Sequence, residues 1–298
     1  VEKDFWVTEV LRAAVAAGGE NAVPVELVFK GGTSLSRVFG IIERFSEDVD
    51  LLLHFPTGTS NGQRDRTLKR VRDVVAAHLN LSKTHVEAIT STTGVKRNVR
   101  YLYPSRRNSA HLKEGVVLEM GCRGGNHPIA EYTLRSMVAE HATDTLGEAT
   151  DQWEEFSGFP VMVLRPERTL LEKLALLHDA STRFPDDKAR SRILTGGRHL
   201  YDIHQLLTNE GVLTALRSQG PSGISALMKD IDEHSKQSDF SYTPRPGAGF
   251  GESPFVTPSG DLEADLHQSY AGAAALVYGS IPSLEQCLNA IREQRHLL

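Results

Sequence analysis

From Lys30 to Leu51 the chain reads KGGTSLSRVFGIIERFSEDVDL, and no other stretch constrains the fold as much. A short β-rich run, Val25 to Phe29, enters two adjacent glycines and then the helix-like TSLSRVFG, which Gly40 stops. A strand feeding directly into a helix start leaves backbone N–H groups facing outward at the positive end of the helix dipole, which suits anionic oxygens. An ordinary strand-to-helix turn with Thr33 as N-cap gives the same pattern. A P-loop fits poorly, because the glycines are adjacent and no Gly-Lys-Ser/Thr follows at the required spacing. Downstream, Asp48 and Asp50 stand two apart in a second strand, Val49 to Phe55, so both carboxylates leave one face while Val49 and Leu51 leave the other. Like charges side by side repel, and a hard divalent cation between them would relieve this. A solvated strand end with two unrelated acids is the plainer alternative.

The rest of the first half mixes α and β signals. Lys3 to Val15 carries an apolar stripe at helical spacing, as does Gln63 to Leu79. HVEAIT, the run around Val99 to Tyr103, and Gly115 to Gly121 read as strands. The last of these, GVVLEMG, buries apolar side chains on both faces and so makes Glu119 conspicuous: a carboxylate there is costly unless paired or metal-bound. Pairing with Arg123 at an exposed sheet end is the other reading. Three acids and a phosphate-binding turn together fit an in-line displacement assisted by two divalent ions. Beyond about residue 160 the pattern turns helical, with Glu167–Ala180 and Arg198–Leu207 the clearest elements. Lys173 borders the apolar stripe of the first, either reaching toward phosphate or snorkelling to water. Arg198 and Asp202 share a face of the second at i, i+4 spacing and could simply pair with each other.

The formal net charge of -5 excludes binding to nucleic acid through overall positive charge, so such contact needs a local patch. Lys96, Arg97, Arg100, Arg106, Arg107 and Lys113, with Tyr101 and Tyr103 interleaved, form one. It could follow an RNA backbone and stack a base, or be a charged strand face. Two distant cysteines, Cys122 and Cys287, and scattered histidines argue against a disulfide framework or a zinc site. No apolar run is long enough for a bilayer, so no membrane association is expected, and a reducing cytoplasm is the simplest compartment. The sequence begins at Val1 rather than Met and opens with no signal-peptide pattern.

Four segments, in order, resemble the AbiEii/AbiGii nucleotidyltransferase toxins, a family that includes the MenT-like toxins. They are FKGGTSLSRVFGIIERFSEDVDL, VVLEMG, LRPERTLLEKLALLH and RHLYDIHQLL; the opening VEKDFWVTEVLRA is similar too. The resemblance runs through most of residues 1–207 and weakens beyond. It implies an α+β fold of the polymerase-β nucleotidyltransferase type, with a small mixed sheet in a core of residues 1–160, and a helical domain of residues 161–298 completing the active-site cleft. It implies that Gly32, Thr33 and Ser34 contact phosphate, although Gly-Gly-Thr-Ser stands where a plain Gly-Ser is common. Lys173 and Asp202 become catalytic candidates, and Lys173 and Arg198 nucleotide contacts. Asp48, Asp50 and Glu119 would hold Mg²⁺ or Mn²⁺, with an NTP as co-substrate. Arg97, Arg100, Arg106 and Arg107 are the nucleic-acid candidates.

The resemblance further implies a toxin with a separately encoded antitoxin, linked to phage defence. It would transfer NMP from NTP to RNA, the tRNA 3′ acceptor end above all, and so block translation. Transfer to a protein or small molecule, or a non-catalytic NTP- or antitoxin-binding module, stays open beside it.

Overall fold

A computed structural model describes residues 1–19, 23–46, 48–105, 114–236 and 242–298, which divide into two compact units. The first unit comprises Val1–Val38 and Ser46–Leu164, and the second Phe39–Phe45 and Arg165–Leu298.

The first unit runs α1 (Glu2–Gly19), β1 (Glu26–Lys30), α2 (Gly31–Arg37), β2 (Asp48–His54), α3 (Asn61–His78), β3 (Val86–Thr92), β4 (Lys96–Tyr101), β5 (Val116–Gly121), β6 (Ile129–Leu134), α4 (Met137–Glu140) and β7 (Phe159–Leu164). Its seven strands form one sheet in the order β3-β4-β5-β2-β1-β7-β6. The sheet is mixed: β2 runs parallel to β5 and β1 to β7, while the other neighbours are antiparallel. The mixed α+β class expected from the sequence holds.

Side-chain alternation decides which face is covered. Along β4, Arg97, Val99 and Tyr101 are buried, whereas Lys96, Asn98 and Arg100 are not. The buried set continues through Val49 and Leu51 of β2 and Leu118 and Met120 of β5. It packs under α1 and α3, whose Val10, Leu11, Ala14, Leu68, Val71 and Val75 are fully buried. Each such aliphatic side chain contributes roughly 1.5–3 kcal/mol before the entropy of ordering it is subtracted. A reciprocal Ser60–Gln63 capping box starts α3, fixing where this cover begins. Asp48, Asp50 and Glu119 leave the opposite face. Beside them Val28, Leu52 and Leu164 form a small apolar cluster with Ile129 against it.

The second unit is helical: α5 (Pro166–Thr182), α6 (Asp187–Thr195), α7 (Gly197–Leu207), α8 (Glu210–Lys236, bent at Gly220-Pro221), α9 (Gly260–Ala274) and α10 (Leu284–Glu293). Pro166 occupies the first turn of α5, where its missing N–H costs nothing. Helix α7 packs against α5, α9 and α10, burying Leu200, Ile203, Leu206 and Leu207. Phe39–Phe45 belongs to this unit: Arg44 makes a backbone bridge to Val277, and the Glu43 N–H donates to the Tyr201 hydroxyl at 3.1 Å. Among the described residues no helix is long and apolar enough to cross a membrane.

Candidate active site

The strand register of the first unit lines up four polar residues across four neighbouring strands. Lys30 of β1 opposes Asp50 of β2, Asp50 aligns with Glu119 of β5, and Glu119 opposes Asn98 of β4. Neighbouring strands lie about 4.8 Å apart, so adjacent side chains in this row are within interaction range. Asp48 stands one repeat back along the same face of β2, aligned with Val117. Lys30, Asp50, Lys96, Asn98, Glu119 and Arg123 line a cavity of about 220 Å³ on this face.

The three acids are hard oxygen donors, of the type a small divalent cation takes. Among the described residues, however, no three carboxylate, imidazole or thiolate groups converge into a formed metal site. The Asp50–Glu119 pair is in register and Asp48 is offset along the strand, which is how mutually repelling carboxylates spread on a sheet. The donor atoms suit such an ion in chemistry and share one face of the sheet, without converging on one point.

Helix α2 begins with no residue between it and β1. That junction needs glycine: Gly31 has φ +80, and a Cβ there would sit 2.0 Å from Asp50 Oδ2. The turn therefore lies directly against the central acid. Gly31→Ala should cost roughly 1–3 kcal/mol in backbone strain and displace the Asp50 carboxylate. A urea melt should show the loss.

The hydroxyls expected to meet phosphate point inward. Thr33 and Ser34 are buried. The Thr33 hydroxyl donates to the Asp48 carbonyl oxygen at 2.5 Å and lies 3.0 Å from the Ser46 hydroxyl. The Ser34 hydroxyl donates to the Gly31 carbonyl oxygen at 2.9 Å. Thr33 thus clamps the turn to the acid-bearing strand, and Ser34 closes the turn on itself. With no side-chain cap at Lys30, any anion contact here comes from the backbone N–H groups of Gly32, Thr33 and their neighbours.

Four members of the basic patch, counting its two tyrosines, are otherwise engaged. Arg97 alternates to the helix-covered face, where it is 8% exposed and paired with Asp65 at 3.0 Å. Tyr101 is buried on the same face of β4, its hydroxyl donating to the Arg72 carbonyl oxygen at 3.1 Å. Tyr103 stacks on Trp6, ring centroids 5.0 Å apart. Arg100 lies on the open face, 3.3 Å from Glu87. Arg106, Arg107 and Lys113 lie outside the described residues.

In the second unit Asp202 is completely buried and holds two cations. Arg44 Nε and Nη2 donate to its two oxygens at 2.6 and 2.7 Å, and Lys173 Nζ lies 2.9 Å from Oδ2. Lys173 is also 3.3 Å from His199 Nδ1. Burial pushes the Asp202 carboxyl up, but Lys173 and Arg44 outweigh it and hold the group well below the usual carboxylate range. Burial first, and the Lys173 charge second, keep the His199 imidazole neutral, well below its ordinary value. Asp202 is thus not the partner of Arg198, which is exposed on the outside of α7. Sequence reasoning missed Arg44 as the main partner of Asp202; only its position just ahead of the acid pair singled it out, because its partner is remote in the chain. It also missed Lys30 and Asn98, which join the acid row through strand register alone.

A family model described as "Nucleotidyl transferase AbiEii toxin, Type IV TA system" matches residues 18–287 of the chain. Among solved structures, MenT4, a nucleotidyltransferase toxin from Mycobacterium tuberculosis H37Rv, is similar at 15% identity and a TM-score of 0.47, over 98% of this chain and 88% of that one. An antigenic nucleotidyltransferase-like protein from Paracoccidioides brasiliensis is similar at 15% identity and a TM-score of 0.30, over 74% of this chain and 92% of that one. A sequence comparison with curated proteins finds no match.

Proposed function

The chain belongs to the AbiEii nucleotidyltransferase toxin family of type IV toxin–antitoxin systems, and on that premise we propose that it transfers NMP from an NTP to the 3′ hydroxyl of RNA, most of all the acceptor end of tRNA. The observation that carries the reading is the contact between the Gly31 turn and the acid row: a backbone suited to phosphate lies directly against Asp50, and Asp50 is in register with Glu119.

In this reading the first-turn N–H groups of α2 hold the triphosphate tail, and Lys30 beside them adds a positive charge. Asp48, Asp50 and Glu119 would hold a divalent ion, Mg²⁺ or Mn²⁺, which would supply positive charge to the triphosphate and to the attacking oxygen. Thr33, bonded to the Asp48 carbonyl, keeps the turn and the acids in one rigid body. The 3′ oxygen forms a bond to the α-phosphorus, the bond to the bridging oxygen of the β-phosphate breaks, and pyrophosphate leaves. Glu119, on the side away from the turn, takes up the hydroxyl proton. Lys173, fixed by Asp202, is carried as a catalytic and nucleotide-contacting group by the family motif, and Arg198 as a further nucleotide contact. A cognate antitoxin restrains the activity in a cytoplasmic setting, with a role in phage defence.

The purified protein, incubated with total tRNA and each α-labelled NTP in Mg²⁺, should label RNA at its 3′ end. Periodate-oxidised tRNA, which lacks that hydroxyl, should stay unlabelled. Label confined to an RNase-resistant protein band, or absent with all four NTPs, overturns the RNA acceptor.

A further inference from the structure

The cavity on the acid face extends past Asp50 and Glu119 on the side away from the turn. Across the sheet the order is β1, β2, β5, β4, so the Gly31 turn stands at one end of the polar row and Asn98 at the other. Lys96, two residues before Asn98, opposes Gly121, and Arg123 follows just after β5. A Cβ on Gly121 would meet no heavy atom within 4 Å, so the cavity wall carries no side chain at that point and has room for a ligand. Lys96 and Arg123 are exposed, and among the described residues neither is tied up in an ion pair.

In-line displacement at phosphorus requires the entering and leaving oxygens to lie on opposite sides of it. With the triphosphate tail over the Gly31 turn, the attacking hydroxyl must arrive over β5 and β4. A polynucleotide acceptor then brings a phosphodiester charge within one nucleotide of that hydroxyl. Among the described residues lining this cavity, the cations placed to neutralise it are those beyond Glu119, since Lys30 lies at the donor end. We infer that Lys96 and Arg123, flanking the gap at Gly121, form the acceptor subsite and hold the phosphodiester next to the 3′-terminal nucleotide of single-stranded RNA. Asn98 stands directly across from Glu119 and one repeat along β4 from Lys96, where its amide can bond the terminal ribose. Arg100, already beside Glu87, adds less.

The inference rests on the function proposed above, and direct binding separates the two. A short 5′-fluorescein single-stranded RNA with a free 3′ hydroxyl, without NTP, is titrated with the full chain by anisotropy. The Lys96→Ala/Arg123→Ala double variant should bind it about tenfold more weakly at low salt, with the slope of log K against log[salt] shallower by about one to two. Lys96→Arg should restore most of its share. Gly121→Ile, which fills the gap from a strand position that tolerates a side chain, should weaken RNA binding in the same way. A fluorescent NTP analogue should bind all of these variants as it binds wild type, which also reports that they are folded. RNA affinity unchanged in the double variant, or NTP affinity falling in parallel with it, overturns the subsite. Absence of label transfer by wild type sinks the proposed reaction instead, and the anisotropy result still decides the subsite.

Discussion

Asp50→Asn should lower NMP transfer by on the order of 10³-fold or more, with a melting curve close to that of wild type. Asp50 occupies the centre of the polar row: it opposes Lys30, aligns with Glu119 and touches the Gly31 turn. Asparagine keeps the shape of the side chain but removes the charge and one strong oxygen donor. The half-exposed position spares the fold a large desolvation change. The loss therefore falls on whatever the carboxylate neutralises during reaction. Asp48→Asn should behave alike, since Asp48 presents its carboxylate on the same face of β2, while the backbone carbonyl that accepts from Thr33 is unchanged. The measurement is paired: growth arrest on induced expression, and label transfer by purified protein of verified melting temperature. Full toxicity in either variant would mean that the acids are a solvated strand end and that toxicity is a binding effect.

Part of this site was legible in the chain alone. Two-residue periodicity assigned Asp48 and Asp50 to one face, and the same rule assigns Arg97 and Tyr101 to the face opposite Arg100. Clustering alone defines the basic patch, whereas alternation puts Arg97 and Tyr101 on the helix-covered face. What no local pattern contains is the adjacency of β2 and β5, a parallel pairing across a long crossover. The sequence marks Glu119 as a costly acid in an apolar strand; its alignment with Asp50 is a property of the sheet. Lys30 and Asn98 were invisible for the same reason. Strand β6, with the weakly alternating IAEYTL, and the mostly polar α6 carry too little periodicity to be found. Gly31 was seen as a turn residue, but its close approach to Asp50 is a tertiary fact.

In the second unit the sharpest expectation concerns the stability of the fold. Asp202→Ala should destabilise the unit by roughly 3–5 kcal/mol, because it strands two buried cations without a counter-charge. The Asp202 side chain is 0% exposed, against 3% for Arg44 and 9% for Lys173. Lys173→Met should cost less, since Arg44 alone still neutralises Asp202 through two hydrogen bonds and the methionine fills the space of the lysine stem. The two variants thus separate positioning from chemistry. Loss of transfer by Lys173→Met with the melt largely retained assigns the lysine ammonium a part in the reaction, whereas loss by Asp202→Ala with collapse of the melt assigns the carboxylate to holding it. Acid should act on the same cluster. His199 is held neutral in the fold below its ordinary value of 6.5, so its contribution is fully present above that pH and declines as pH falls below it. Asp202 is held charged below its ordinary 3.8, so its contribution is present above that value and is lost only as pH falls through the depressed one. Wild-type stability should therefore begin to fall below about pH 6.5 and fall further in strong acid. His199→Gln should flatten the first step and leave the second. A wild-type melting temperature unchanged between pH 7 and pH 5, or an Asp202→Ala melt matching wild type, would show that this buried ion cluster does not hold the unit together.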